Sequence, residues 1–108
     1  MSEVWKTVEM AGGRAEVEGK YEVSNQGRVR NVNTGRVLRE GLVCGYPKVT
    51  LYSDGRRLQE YVHRLVAQAF VLTPDDASPL ECRIRHRDGN RENNTPGNLD
   101  WHPLGRVT

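Results

Sequence analysis

The sequence has only two cysteines, Cys44 and Cys82, and they do not form a C-x-x-C pair. A zinc site of the usual spacing is therefore not expected, nor is a disulfide in a cytosolic chain. The sequence also has no run approaching the roughly 20 apolar residues that cross a bilayer, and its N-terminus lacks the apolar segment of a signal peptide. We therefore expect a cytoplasmic protein with no membrane partner.

Lysine is scarce too. Among the 16 basic residues only Lys6, Lys20 and Lys48 are lysines, and the net charge is +2. Arginine presents a planar, two-pronged donor set that matches phosphate oxygens and guanine edges. The excess of arginine over lysine therefore favours a nucleic-acid partner, although a GC-rich genome explains that excess equally well.

At 108 residues the chain is one domain or two small lobes that share a core. Turn clusters and alternating polarity predict a small antiparallel sheet in the first half, with Asp54-Gly55 as a hairpin turn. Further along the chain the apolar residues recur at helical spacing, which predicts a helix that ends before Pro74. The candidate extended segments are 21–23, 28–30, 36–39, 45–52, 58–62, 81–86 and 98–101, and the helix is 62–71.

Two sets of residues together resemble a known family. Trp5-Lys6 followed by residues 21–29 is similar to the nuclease-associated modular motif that precedes HNH domains in phage and intron homing endonucleases. Further along the chain, a second set resembles the HNH domain itself: residues 62–67 with Phe70, then 86–90, 93–94 and 98–101. The pieces occur in the family's order and span nearly the whole chain.

The resemblance implies an α+β fold, in which a small antiparallel N-terminal sheet precedes a helix and a truncated ββα-metal (HNH-like) unit. It implies an N-terminal DNA-binding lobe over 1–61 and an HNH-like lobe over 62–108, with the helix at 62–71 and the ββ loop at 81–102. We expect the two lobes to form one compact unit. A phage or mobile-element origin would place the protein in the host cytosol.

The resemblance also implies a chemistry. In the HNH family, a histidine at the end of the first strand takes a proton from the attacking water, and His86 matches it. A central asparagine that fixes the loop is matched by Asn98. The family's divalent metal, Mg²⁺ or Mn²⁺, stabilises the leaving oxygen.

Two features of the sequence depart from the family pattern at the metal. Arg85 stands where an acidic or polar ligand is expected, and Pro103 and Gly105 argue against a closing helix after Trp101. Asp88 and His102 are the remaining candidates for metal ligands.

Six arginines are predicted to contact nucleic acid: Arg28, Arg30, Arg83, Arg85, Arg87 and Arg91. Arginines 83, 85 and 87 alternate, so they are expected on one side of a strand, where each neutralised phosphate would release counterions. A merely solvated face is the alternative. We expect His63 to be structural, Phe70 and Trp101 to lie in the core, and the asparagines at 90, 93, 94 and 98 to build the loop.

Three functions remain open from the sequence. The first is a metal-dependent endonuclease acting on double-stranded DNA, and the second is a catalytically inactive DNA-binding module on the same scaffold. The third is a protein that binds and inhibits a host protein complex. The sequence does not determine the oligomeric state.

Overall fold

The computed structural model describes residues 3–9, 11, 17, 19–53, 55–71 and 82–103, without the side chains of residues 82, 102 and 103. Within these residues the chain forms eight strands, one α-helix and a 3-10 turn. The strands are β1 (Trp5–Thr7), β2 (Tyr21–Ser24), β3 (Val29–Asn31), β4 (Gly41–Val43), β5 (Tyr46–Ser53), β6 (Arg56–Tyr61), β7 (Cys82–His86) and β8 (Leu99–Pro103). The helix α1 is Val62–Phe70, and the 3-10 turn is Pro96–Asn98.

The strands pair antiparallel in three separate groups: β1-β2-β3, β4-β5-β6 and the hairpin β7-β8. Alternate side chains of the longest strand, β5, point to opposite faces of its sheet. Val49, Leu51 and Ser53 are buried on one face, whereas Tyr52 is exposed on the other. The turn from β4 to β5 contains only two residues, one of them Gly45, and both have positive φ. That backbone matches the twist of a tight hairpin.

Helix α1 packs its apolar face against all three groups of strands. Val62, Leu65 and Val66 recur at helical spacing and are buried. The helix ends at Phe70, one residue before the predicted end. Val71 follows with an extended backbone, and its N–H still donates to the carbonyl of Ala67. Among the described residues no helix has the length and apolar character needed to span a membrane.

One apolar cluster joins the predicted lobes. It contains Val23 and Val29 from the first sheet, Leu51 from the second, Leu65 from the helix and Leu99 from the final hairpin. The side chain of Trp101 is also buried, and its Nε1–H donates to the Val71 carbonyl at 3.1 Å. The core therefore fixes the final hairpin against the N-terminal half.

The structure confirms the α+β class and the small antiparallel sheets, with several differences in detail. Strands β1 and β4 were not predicted, and the predicted single sheet is two three-stranded sheets. Segment 36–39 makes only one bridge, from Val37 to Arg30. Asn98 lies in the 3-10 turn rather than in a strand. The predicted hairpin residue Asp54 lies outside the described residues.

Candidate functional site

The loop between β7 and β8 is organised around Asn98. The side-chain amide of Asn98 donates to Asp88 Oδ1 and to the Asn93 carbonyl, both at 2.9 Å, and its Oδ1 accepts the Asp88 N–H at 3.1 Å. The Asn98 carbonyl accepts the Arg87 N–H at 2.8 Å. The buried side chain of Asn98 thus ties the start of the loop to its end. These hydrogen bonds give the loop a fixed geometry.

Asp88 acts as an acceptor within the loop. Besides Asn98, its carboxylate accepts the Asn90 N–H at 2.8 Å and the Asn93 side-chain amide at 2.9 Å. These hydrogen bonds, that from Asn93 foremost, lower the pKa of Asp88 below its ordinary value. Both oxygens of this predicted metal-ligand candidate are therefore engaged by loop donors.

His86 ends β7 and turns its ring into the protein. It is only 8% exposed, and its Nε2 lies 2.7 Å from Oδ1 of Asn94, which is also buried. An amide oxygen only accepts hydrogen bonds, so the ring donates from Nε2. In the neutral ring, the lone pair that can take a proton is then on Nδ1.

Aromatic rings pack around this histidine. The His63 ring from helix α1 lies 5.2 Å from the His86 ring at 70°, and the Tyr46 ring lies 5.9 Å away at 41°. Tyr61 stacks on His63 at 5.3 Å. Burial, followed by the neighbouring charges of His86 and Arg64, lowers the pKa of His63 to about 4. His63 is consequently neutral at neutral pH.

The outer face of the β7–β8 hairpin is cationic. The side chains of Arg83, Arg85 and Arg87 are exposed, and they alternate with the more buried Ile84 and His86. Asp100, which is paired with Arg85 in the strand register, accepts from Arg85 at 3.2 Å and from Arg87 at 2.6 Å. The structure thus places the three predicted arginines together, and two of them share one carboxylate.

The three other predicted arginines lie elsewhere. Arg91 donates to the carbonyl of Cys44 at 2.7 Å and covers the Tyr46 ring at 4.7 Å. Arg28 forms an ion pair with Glu3, whose pKa falls to about 2 chiefly through that hydrogen bond.

Arg30 pairs with Glu22 at 2.8 Å and lies 4.0 Å over the Trp5 ring. The charges of Arg28 and Arg30 are thus matched by carboxylates one for one, whereas among the described side chains of the hairpin Arg85 and Arg87 share Asp100.

The described side chains do not fit the divalent metal that the resemblance implies. Among them, no three His, Cys, Asp or Glu side chains are grouped to hold a metal ion. The residue before His86 is a cation that bonds to Asp100, and the Asp88 oxygens are bonded within the loop. The side chain of His102, the other candidate, lies outside the described residues.

Sequence reasoning missed three features of the site. The sequence predicts only loop building for Asn94 and strand positions for Tyr46 and Tyr61, and it predicts no role for Asp100. The alternation of the final hairpin could have placed Asp100 on the same face as Arg85, once the register between β7 and β8 was known. The Asn94–His86 contact crosses a loop of irregular backbone, and the Tyr46–His86 contact joins segments 40 positions apart.

Comparison with known proteins gives consistent relatives. A NUMOD4 motif matches residues 3–52. The DNA endonuclease I-HmuI of Bacillus phage SP01 is 35% identical over 85 residues, covering 78% of this chain and 47% of that protein. An uncharacterised HNH endonuclease of Acanthamoeba polyphaga mimivirus is 36% identical over 81 residues, covering 75% of this chain and 23% of its own length.

A solved structure is similar over nearly the whole chain. It describes DNA binding and cleavage by the HNH homing endonuclease I-HmuI, and it matches with a TM-score of 0.76 at 31% identity, covering 93% of this chain and 52% of that one. The chain therefore spans about half, or less, of the length of these relatives.

Proposed function

Because this chain belongs to the HNH homing-endonuclease-like family, with a NUMOD4 motif followed by an HNH-like segment, we propose that it binds double-stranded DNA through the outer face of the β7–β8 hairpin. The surface consists of Arg83, Arg85 and Arg87 with Asp100, and is called the hairpin arginine face below. Arg91, Arg28 and Arg30 would extend the contact from the loop and the N-terminal lobe.

The observation that carries the proposal is the unequal charge of this face. Among the described side chains, three exposed guanidinium groups stand beside one carboxylate, whereas Arg28 and Arg30 each have a carboxylate of their own. A surplus of guanidinium donors on an exposed strand suits the DNA backbone, because each phosphate contact releases condensed counterions. Binding of this kind needs no metal.

The proposal keeps two expectations from the sequence. Residues 1–61 and 62–108 would act as two DNA-contacting lobes of one compact unit, since their apolar side chains share a cluster. The protein would act in the cytosol, where a phage or mobile-element product meets DNA.

The test is a salt titration of binding to a fluorescent duplex, comparing the full chain with the double variant Arg85→Ala/Arg87→Ala. If both guanidiniums contact phosphates, the slope of log K against log salt should become shallower by about 1.8, at about 0.9 per phosphate. Arg36→Ala, which removes an exposed arginine outside the hairpin arginine face, is the control. Equal salt slopes for the wild type and the double variant would refute the proposal.

Phosphodiester hydrolysis is the second candidate, favoured by the tautomer of His86. With Nε2 donating to Asn94, the free lone pair on Nδ1 would accept the proton of the attacking water. HNH endonucleases generally use a divalent metal, so the assay is nicking of supercoiled plasmid with Mg²⁺ or Mn²⁺. Activity that is present in the wild type and lost in His86→Ala establishes hydrolysis. DNA binding without nicking leaves the binding function alone.

If the partner is instead a host protein complex, capture from lysate should respond differently to nuclease and to the arginine substitutions. A protein partner would remain attached in lysate treated with nuclease, and its capture would be insensitive to Arg85→Ala/Arg87→Ala. Capture abolished by nuclease would instead agree with DNA as the partner.

A further inference from the structure

The turn between β2 and β3 packs directly on the HNH-like loop. Gly27 in that turn is buried and has a φ of +80°. A Cβ added to it would lie 2.9 Å from the carbonyl oxygen of Asn94 and 3.2 Å from the Asn94 Cβ. The N-terminal lobe thus reaches the loop by backbone contact, with no room for a side chain between them.

Asn94 carries this contact to the imidazole. It is 4% exposed, and its Oδ1 is the partner of His86 Nε2 at 2.7 Å. The ring of His86 is also flanked by His63 and Tyr46. The flanking rings limit how it can turn, and the amide oxygen decides which nitrogen bears the proton.

We propose that Asn94, held in place by Gly27, is a positioning residue that fixes His86 as the Nε2-protonated tautomer with its lone pair on Nδ1. The N-terminal lobe is thereby part of the His86 site and not only a DNA-contacting attachment. The inference rests on the proposed function for what His86 does at DNA, but the tautomer itself exists without DNA.

The test is the ring-nitrogen signature of His86 in the ¹⁵N-labelled full chain, read from long-range ¹H–¹⁵N correlations in the neutral form. The wild type should show protonated Nε2 and unprotonated Nδ1. Asn94→Ala removes the acceptor and should give a mixture of tautomers. Asn94→Asp keeps an oxygen acceptor at this position, so it should restore the Nε2-protonated form.

Gly27 is tested against a glycine with the same backbone strain. Gly35 has a φ of +72° and nothing within 4 Å of an added Cβ, so Gly35→Ala carries strain without the contact. We expect Gly27→Ala to shift the His86 ring signals toward those of Asn94→Ala, while Gly35→Ala leaves them unchanged. If Gly27→Ala does not fold, the comparison of Asn94→Ala with the wild type decides the inference.

Two results would overturn the inference: a wild-type His86 protonated on Nδ1, or a tautomer that Asn94→Ala does not alter. Neither depends on DNA binding. A salt titration that refutes the proposed DNA binding would therefore leave this inference standing. A different tautomer of His86 would likewise leave the proposed DNA binding standing.

Discussion

Arg85 and Asp100 face each other across the final hairpin, with Arg85 Nη2 3.2 Å from Asp100 Oδ2. Arg87 approaches the other oxygen at 2.6 Å. The hydrogen bond from Arg87 is the main cause that lowers the pKa of Asp100 below its ordinary value, and the bond from Arg85 adds to it. Asp100 is thus ionised at neutral pH and offsets part of the positive charge that the hairpin arginine face offers to DNA.

Asp100→Asn should therefore tighten DNA binding. Removing one unit charge a few ångströms from a phosphate site is worth about 1 kcal/mol in water, or roughly fivefold in affinity at low salt. The gain should shrink as salt rises, because screening weakens it. Fluorescence anisotropy at two salt concentrations measures both effects.

The control for that variant is Glu9→Gln, which makes the same change in net charge at an exposed residue outside the hairpin arginine face. Equal gains from the two variants would mean that net charge alone sets affinity, and the location of Asp100 would have no special effect.

The parts of the fold that could be predicted are those with a local period. Helix α1 was predicted to within one residue because Val62, Leu65 and Val66 mark one helical face. Strand β5 was predicted nearly in full because its buried residues alternate. Strand β4 was missed because Gly41, Leu42 and Val43 are all exposed and show no alternation.

The site was less predictable because its contacts depend on register and on distant segments. His86 and Asn98 could be selected by the resemblance. The partner of His86, however, is eight residues away across a loop of irregular backbone. The pairing of Gly27 with Asn94 joins segments 67 positions apart in the sequence, and no local pattern encodes such a contact.

Asn98→Ala should destabilise the protein by about 2–4 kcal/mol, since it removes three side-chain hydrogen bonds and leaves Asp88 and the Asn93 carbonyl short of donors. Urea denaturation gives the free energy of unfolding. Asn90→Ala is a matched control, because Asn90 is exposed and its side chain accepts one loop hydrogen bond, from the Glu92 N–H at 3.0 Å. Similar losses for the two variants would contradict a central role for Asn98.

The Glu3–Arg28 pair should make stability depend on acidity. The pKa of Glu3 is lowered from 4.5 to about 2, mainly by Arg28 and then by Ser24. A depressed carboxyl pKa stabilises the folded state fully above pH 4.5, and this contribution is lost as the pH falls toward 2. The difference in unfolding free energy between the wild type and Glu3→Gln should therefore shrink over that range.

Arg28→Leu supplies the background in which to check the origin of that effect. Once the guanidinium is absent, Glu3→Gln should alter the pH dependence much less than it does in the wild type. An unchanged pH dependence would assign the effect to Ser24, whose hydroxyl donates to Glu3 at 2.6 Å.

His63 should dominate the pH dependence of stability between pH 6.5 and 4. Its pKa in the folded protein is about 4, mainly because burial penalises the charged ring, and its Nδ1 is a buried atom without a hydrogen-bond partner among the described residues. Between these pH values the unfolded chain binds a proton that the folded chain does not, so stability is greatest above pH 6.5 and falls toward pH 4. The loss is on the order of 2 kcal/mol, after allowance for partial exposure.

His63→Phe keeps a ring against Tyr46 and Tyr61 but cannot titrate. Its unfolding free energy, measured by urea denaturation at several pH values, should fall less steeply than that of the wild type as the pH drops from 6.5 to 4. At neutral pH it should be as stable or more stable, because the unpartnered Nδ1 is gone. Tyr61→Phe, which retains His63, should keep the wild-type slope. A His63→Phe slope equal to that of the wild type would contradict this assignment and place the titrating group elsewhere in the protein.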